Sequence, residues 1–310
     1  MNSSNQRQSI KDSGVSWIGK IPKHWNVNIL NNLVQIILSN VDKKNSENEK
    51  KVLLCNYTDV YYHLFISSKI EFMEASATHD EIENFSLKIN DVLITKDSES
   101  PYDIAVPSLV IDNIENLLCG YHLSILRPLI DKIDGRYLLF SILSTYVKSQ
   151  FSSFAKGITR YGISYQHIKS VNICVPPLKE QQAIARYLDE KIAAIDTLIV
   201  KKQRLIQLLE EKRDALINQA VTKGLNPNVP MKDSKIRWIA KIPKHWGVRR
   251  FKFMIDYLEQ GWSPSCENRL AEEQEWGVLK VGCVNGGYFN ELEHKALPSD
   301  LQPKLEYSVS

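Results

Sequence analysis

The chain is 310 residues long and 43% hydrophobic, so it can bury the core of one large or two ordinary domains. Its longest apolar runs are too short to cross a bilayer, and its first residues lack the apolar region of a secretory signal. We therefore expect a cytoplasmic protein without a membrane segment. A net charge of +3 does not by itself indicate a nucleic-acid partner, and five cysteines without a C-x-x-C pair indicate buried thiols rather than a zinc site.

A repeated segment defines the organisation of the chain. Residues 12–27 return as residues 233–248, and eleven of the sixteen positions are identical. The spacing between the copies is far longer than the period of a solenoid, so the repeat predicts two similar units, each opened by one copy. Residues 1–11 are polar and are predicted to form a disordered tail. Each copy carries two tryptophans and one histidine, for which structural packing is favoured over base stacking or catalysis.

Residues 28–175 have the pattern of a mixed α/β domain. Together with the opening repeat they are expected to form a first domain over residues 12–175. Apolar residues at helical spacing predict a helix over Tyr137–Phe154. Short runs rich in β-branched residues and bounded by turn residues predict strands at Val52–Cys55, Val92–Thr95, Ser124–Leu126 and Val171–Val175.

A loop bounded by small residues follows the predicted helix. The segment Ala155–Ser164, AKGITRYGIS, combines two glycines with Lys156, Arg160 and Tyr161. Glycines let a backbone approach a ligand closely, and the loop would then present cations and an aromatic ring to it. The competing interpretation is an ordinary surface loop.

One long helix is predicted over Leu178–Lys223, within a spacer segment assigned to residues 176–224. The run contains neither glycine nor proline and would measure roughly 65 Å at the α-helical rise. Its apolar residues step by threes and fours, which indicates a coiled-coil seam interrupted by Lys202 and Arg213. Such a stripe needs a facing helix from this chain, a second copy or another protein. The predicted seam residues are Leu188, Ile192, Ile195, Ile199, Ile206, Leu209 and Leu216.

Residues 225–310 begin a second domain. A short linker leads into the second copy of the repeat, and a strand is predicted at Val278–Val281. About 60 residues follow this copy, against about 150 between the first copy and the long helix. We therefore expect the second domain to be incomplete.

The chain has none of the sequence motifs that mark common catalytic sites. It lacks a phosphate-binding loop, a dinucleotide fingerprint, a metalloprotease motif and a nucleophile elbow. Two trios, Asp189–Lys191 and Glu293–Lys295, have an acid-x-Lys form seen in nucleases, but such triplets are frequent by chance. The sequence therefore predicts no catalytic residue and no metal ligand. A nuclease fused to a coiled coil is kept as an alternative, which magnesium-dependent cleavage by the chain would favour.

The order of these elements resembles the specificity subunit of type I restriction–modification systems. The long-helix segment VPPLKEQQAIARYLDEKIAAIDTLI, Val175–Ile199, is similar to the conserved helical region of that family. The repeats WIGKIPKHW and WIAKIPKHW are similar to the segments that lead into its target recognition domains. Further similarity lies in INDVLITKDSES at Ile89–Ser100, CGYHLSILRP at Cys119–Pro128 and LEQGWSPSCEN at Leu258–Asn268.

The resemblance implies an α+β fold: a mixed α/β target recognition domain, a long coiled-coil-type helix, and a partial second recognition domain. It implies a non-catalytic subunit that reads a split DNA target and directs methylation and cleavage by its partners. These partners would be double-stranded DNA, methyltransferase (modification) subunits and a restriction/translocase subunit. No cofactor would bind this chain, because S-adenosylmethionine, ATP and magnesium are used by other subunits of the complex.

Binding of DNA must depend on a local surface, because residues 28–175 carry 14 basic and 17 acidic side chains. Arg160 has the donors for a bidentate contact to guanine, whereas Lys156 is better suited to phosphate. For each candidate, a surface side chain without a partner is the competing interpretation. The predicted DNA-binding residues are Lys96, Tyr102, Lys156, Thr159, Arg160 and Tyr161.

Two further hypotheses concern the long helix. The first is a coiled-coil scaffold that does not read DNA, which the seam favours but the duplicated modules do not. The second is a homodimer through Leu188–Ala220, which would provide the facing helix and give a palindromic target.

Overall fold

Short strands and helices precede one long helix in the computed structural model, which describes residues 9–43, 45–46, 48–258, 260–285 and 287–308. Contacts divide the chain into two units, Met1–Gln207 and Leu208–Ser310. This division falls inside the long helix, whereas the boundaries expected from the sequence lie at its two ends.

The strands of the first unit lie where β-prone runs alternate with turns. Val92–Thr95 matches its sequence prediction, and the other three predicted strands differ from the observed ones by one or two residues at their ends. In chain order the strands are β1 (Ile10–Asp12), β2 (Lys20–Pro22), β3 (Asn26–Ile29), β4 (Val34–Leu38), β5 (Lys50–Cys55), β6 (Phe65–Ile66), β7 (Met73–Ala77), β8 (Val92–Thr95), β9 (Asp97–Ser98), β10 (Pro107–Val110), β11 (Leu117–Cys119), β12 (Leu123–Pro128), β13 (Tyr161–Gly162) and β14 (Asn172–Val175).

A five-stranded sheet with the order β4-β12-β8-β10-β6 forms the centre of this unit. Its neighbouring strands are antiparallel except for the parallel pair β10 and β6. Every residue of β8 is buried, as expected for a strand that is covered on both faces. Because side chains alternate along a strand, Val92 and Ile94 enter one apolar cluster and Leu93 enters another on the opposite face. This sheet is the rigid base for the loops described below.

Helices cover the sheet and connect its strands. The helix expected over Tyr137–Phe154 is two helices, because the backbone of Ser144 is extended, with φ −66° and ψ 146°. The Ser144 hydroxyl accepts a hydrogen bond from the Val147 amide at 3.4 Å and so caps the second helix. The helices are α1 (Tyr57–Tyr62), α2 (His79–Phe85), α3 (Gly135–Leu143), α4 (Thr145–Phe154), α5 (Tyr165–Ser170) and α6 (Leu178–Lys223).

The two copies of the repeat fold into the same hairpin. Strand β1 pairs with β2 so that Asp12 faces Lys20, and β15 (Met231–Asp233) pairs with β16 (Lys241–Pro243) so that Asp233 faces Lys241. The expectation of a disordered tail over residues 1–11 is wrong for Ile10 and Lys11, because these residues pair with the second strand of the hairpin and form part of β1. Residues 1–8 of that tail lie outside the described residues.

The second unit also contains a strand pair beyond the repeat. The predicted strand at Val278–Val281 is found at Gly277–Leu279 (β17) and pairs with His294–Ala296 (β18). Gly224, directly after α6, has a positive φ of 75° and lies against the ring of Trp246. Among the described helices of both units, none is long and apolar enough to span a bilayer.

Candidate functional site

The glycine loop is closed into a tight hairpin at its base. The amide of Lys156 donates to the carbonyl of Gly162 at 3.1 Å, and the Gly162 amide returns a bond to the Lys156 carbonyl at 2.9 Å. Gly157 has a φ of 154°, and a Cβ at this position would lie 1.9 Å from the carbonyl oxygen of Arg160. The loop therefore requires glycine at this position, and its closure exposes the side chains at its tip.

An ion pair connects this loop to the adjacent strand. Strand β13 pairs with β9, which places Arg160 beside Asp97. The Nη2 and Nε atoms of Arg160 donate to the same oxygen, Oδ1 of Asp97, at 2.6 and 3.2 Å. The other carboxylate oxygen of Asp97 lies 2.6 Å from Nδ1 of His122. Asp97 raises the pKa of Arg160 by hydrogen bonding, so the guanidinium stays charged and oriented.

Helix α1 forms the opposite wall of a cavity of about 390 Å³. The Asp59 carboxylate accepts a hydrogen bond from the Asn56 amide at 2.7 Å and so stabilises the start of this short helix. Tyr57 and Tyr61, four residues apart, stack with their ring centroids 5.5 Å apart. The Tyr61 hydroxyl donates to Asp103 at 2.5 Å, which raises the pKa of Tyr61 to about 12. We call this cavity the tyrosine cavity; it is lined by Tyr57, Tyr61, Tyr62, Glu99, Asp103 and Arg160, among others.

The structure brings four of the six predicted DNA-binding residues to the surface around the tyrosine cavity. Thr159 and Arg160 line it, and Lys156 is exposed in the same loop. Tyr102 is 86% exposed in a short 3₁₀ turn, Pro101–Asp103, whose last residue also lines the cavity.

The other two predicted residues are directed towards the protein. Tyr161 is half-buried and packs against the apolar cluster of the central sheet. The ammonium group of Lys96 donates to the carbonyl of Ser39 at 2.9 Å, and partial burial lowers its pKa. The Lys96 ammonium therefore binds the backbone of the first unit beside the sheet, and no contact joins it to the glycine loop among the described residues.

Sequence reasoning missed the tyrosines of α1 and the two partners of the loop, Asp97 and His122. The run YTDVYY at Tyr57–Tyr62 carried a usable signal, because an aromatic pair at i and i+4 shares one face of a helix. Nothing in the sequence indicated that Asp97 and His122 would meet, since 25 residues separate them.

A second candidate region is the attachment of α6 to the first unit. Gln181 is fully buried, and its amide group makes three hydrogen bonds at 2.9–3.1 Å to the backbone of Lys132, Asp134 and Pro176. About two turns further along, Asp189 forms an ion pair with Arg136 at 2.7 Å. The helix therefore starts from a fixed point on the first unit.

The predicted seam lies on an exposed apolar stripe of α6. Leu188 and Ile192 are half-buried, and the later seam residues are between 48% and 58% exposed. The exposed seam residues are all large and apolar, and their spacing places them along one side of the helix. We call this surface the α6 stripe; it comprises Ile195, Ile199, Ile206, Leu209 and Leu216.

Known protein families give an independent comparison. The family model described as type I restriction modification DNA specificity domain matches residues 22–210. Among curated relatives, the type I restriction enzyme MjaX specificity subunit of Methanocaldococcus jannaschii is 28% identical over 236 residues, which cover 74% of this chain and 52% of that protein. The EcoEI specificity subunit of Escherichia coli is 24% identical over 174 residues, covering 56% of this chain and 29% of the relative.

A solved structure from work on complex assembly and conformational transition of the type I R-M system has a related fold. It superposes with a TM-score of 0.52 at 19% identity, over 70% of this chain and 49% of that one. The chain spans about half the length of the M. jannaschii relative. The α+β expectation of a mixed α/β domain followed by a long helix is thus confirmed. Because the family model covers more than half of the chain, this protein belongs to the type I restriction modification DNA specificity domain family.

Proposed function

We propose that this chain is the sequence-specific DNA-binding subunit of a type I restriction–modification complex. The observation that carries the proposal is the family match over residues 22–210, which includes both the tyrosine cavity and the first part of α6. In this proposal the chain has no catalysis of its own and binds no cofactor. Its partners carry out methylation and cleavage with S-adenosylmethionine, ATP and magnesium.

The surface of the first unit supports a role in reading bases. Lys156 is exposed and able to contact phosphate, which gives affinity without sequence information. Arg160 is 57% exposed and is held in a fixed orientation by Asp97, as a base-reading side chain must be. Phosphate contact and base contact thus fall to different residues of one short loop.

The α6 stripe supports the proposal that partner subunits bind the helix. An apolar stripe on a helix of 46 residues is stabilised when a second helix covers it. We assign this surface to methyltransferase subunits and to a facing helix, which a second copy of this chain would supply in a homodimer. A restriction/translocase subunit would join the resulting complex. Sedimentation at micromolar concentration tests the homodimer, and a species of monomer mass alone would contradict it.

The central test is coexpression with a modification subunit of the same system, followed by sequencing of methylated positions in the host DNA. The proposal requires a defined methylated motif that appears only when this chain is present. The absence of any motif despite a stable complex would overturn it. A gel-shift titration at rising salt distinguishes a DNA-binding subunit from a coiled-coil scaffold. A DNA-binding subunit should lose affinity steeply as salt rises, because its contacts to phosphate weaken. A scaffold would bind no DNA at any salt concentration.

A further inference from the structure

The tyrosine cavity has a charge that distinguishes it from a phosphate-binding surface. Its wall contains the carboxylates of Glu99 and Asp103, and Asp97 lies behind Arg160. These acids outnumber the single guanidinium, so a phosphate group would be repelled there. The edges of base pairs carry no net charge, and in the major groove they present both acceptors and amino donors. The cavity is therefore better matched to base edges than to the backbone.

Arg160 is oriented so that part of its donor set remains free. A guanidinium has five N–H donors, and Asp97 accepts from Nε and from one hydrogen of Nη2. Within the described part of the chain, no hydrogen bond engages Nη1. The hydrogens on Nη1 and the second hydrogen on Nη2 can therefore donate to two adjacent acceptors, such as O6 and N7 of guanine.

Asp97 is itself fixed from both sides. Its Oδ1 accepts from Arg160, and its Oδ2 lies 2.6 Å from Nδ1 of His122. A carboxylate with both oxygens engaged cannot rotate without losing a contact, so it holds the guanidinium in one direction. Asp97 thus acts through Arg160 and does not itself reach the DNA.

Glu99 offers the complementary group in the same cavity. Its side chain is exposed, and no ion pair or hydrogen bond engages its carboxylate among the described residues. Asp103, by contrast, already accepts from Tyr61 at 2.5 Å. A free carboxylate accepts a hydrogen bond from the amino group of cytosine, the partner of guanine.

The rings of Tyr57 and Tyr61 leave no room to hold an extruded base between them. These rings stack on each other at 5.5 Å with an interplanar angle of 18°, so no gap is left for a base between them. The tyrosines instead form a rigid wall beside the two polar groups.

We propose that the tyrosine cavity reads one G·C base pair in the major groove, with Arg160 donating to guanine, Glu99 accepting from cytosine, and Asp97 as the positioning residue of Arg160. This inference rests on the proposed function, since it assigns residues to the reading of DNA by the first unit.

The test uses the complex of the full chain with its modification subunit. Affinity is measured for duplexes that carry the methylated motif and for duplexes in which each G·C pair is replaced by A·T in turn. We expect Arg160→Lys, Asp97→Asn and Glu99→Gln to lose discrimination at one and the same position, by roughly 5- to 150-fold. The double variant Asp97→Asn/Arg160→Lys should discriminate no less than Arg160→Lys alone, because the two residues act as one unit.

Lys156→Ala is the matched control from the same loop. It should weaken binding to all duplexes to a similar degree and leave discrimination unchanged. Thermal unfolding of each variant identifies any that fail to fold, and Glu99→Gln, which alters an exposed side chain without a partner, keeps the test valid if Asp97→Asn unfolds. If the wild-type chain directs no methylation, the proposed function fails. If it directs methylation but the three single variants keep the wild-type preference at every position, only this inference is wrong.

Discussion

Trp25 of the first repeat donates its indole Nε1 to Oε1 of Glu180 at 3.1 Å, and the same carboxylate lies 2.8 Å from Nε2 of His24. One acidic side chain in the first turn of α6 thus binds both the imidazole of His24 and the indole N–H of Trp25. The repeat therefore attaches the long helix to the domain that the repeat opens. This contact explains why histidine and tryptophan stand together in the first copy.

Removal of this carboxylate should loosen the attachment. We expect Glu180→Ala to lower the free energy of unfolding of the first unit by about 1–2 kcal/mol, because the indole N–H of half-buried Trp25 loses its acceptor. Glu180→Gln keeps an acceptor oxygen and should recover most of this loss. Urea denaturation followed by tryptophan fluorescence measures both. Glu190→Ala, an exposed position on the same helix, should have little effect; an equal loss there would contradict the assignment.

The pair of Arg127 and Asp91 should contribute far more to stability. Asp91 is 1% exposed, and its two oxygens accept from Nε and Nη2 of Arg127 at 2.8 and 2.7 Å. Arg127→Ala leaves a buried carboxylate without its partner and should destabilise the first unit by roughly 3–5 kcal/mol. Asp189→Ala breaks a half-exposed pair in the same unit and should cost less than about 1 kcal/mol. Similar losses in the two variants, measured by urea denaturation, would contradict this ranking.

The glycine loop allows a sharp test of backbone geometry. In Gly157→Ala the new methyl group would meet the Arg160 carbonyl, and the backbone at φ 154° is strained for any other residue. We expect a cost of about 1–3 kcal/mol in the closed loop, and a loss of DNA affinity as the loop opens. Gly162→Ala in the same loop meets only an ordinary contact at 3.8 Å and should bind like the wild type. Gel shifts measure the DNA affinity of both variants. An affinity of Gly157→Ala equal to that of the wild type would refute the predicted need for glycine at this position.

The second copy of the repeat has an alanine where the first copy has a glycine with a positive φ, and this alanine should lower its stability. Gly19 has a φ of 69°, and its counterpart in the second copy is Ala240 with a φ of 57°. A non-glycine residue in this left-handed region costs about 1 kcal/mol, so Ala240→Gly should stabilise the second hairpin by up to that amount. Gly19→Ala should destabilise the first hairpin for the same reason. Hydrogen exchange of the hairpin amides reports on each copy, and faster exchange in Ala240→Gly would contradict the expectation.

Charge on the α6 stripe should prevent partner binding. The double variant Ile199→Glu/Ile206→Glu places two carboxylates on a surface that is apolar and exposed, and burying them against a facing helix is unfavourable. We expect at least a tenfold loss of affinity for the methyltransferase subunit or for a second copy. Arg204→Glu changes the charge on the opposite side of the helix and is the control. Pull-down and sedimentation measure partner binding by both variants. An equal loss of binding in Arg204→Glu would contradict the assignment of partner binding to the α6 stripe.

Several elements were predictable because their signals are local. The helix Leu178–Lys223 follows from a run without glycine or proline, and Val92–Thr95 follows from a continuous apolar run. The expected single helix over Tyr137–Phe154 was wrong because a serine cap competes with the continuing helix at Ser144, and apolar periodicity does not register caps. The repeat predicted that two segments would be alike, and the structure shows that both are hairpins.

The candidate site was only partly predictable. The glycine loop was found because its composition is unusual. The prediction for Lys96 did not foresee that its ammonium donates to a backbone carbonyl, because the sequence carries no information on the direction of one side chain. The assignment of Lys156, Thr159 and Arg160 to DNA binding stays a prediction. Asp97 and His122 meet only because β9 and the turn before β12 are brought together by the central sheet.

The sequence by itself determined the duplicated segment, the extent of the long helix and the family, because each depends on residues close together in the chain or on a pattern of many residues. Tertiary structure alone decided which side chains surround the tyrosine cavity, and that one glutamate joins the repeat to the helix. Those contacts join residues between 25 and 156 positions apart. Long-range pairs of this kind depend on how the sheet and helices pack, a result of the whole apolar core that no local segment encodes.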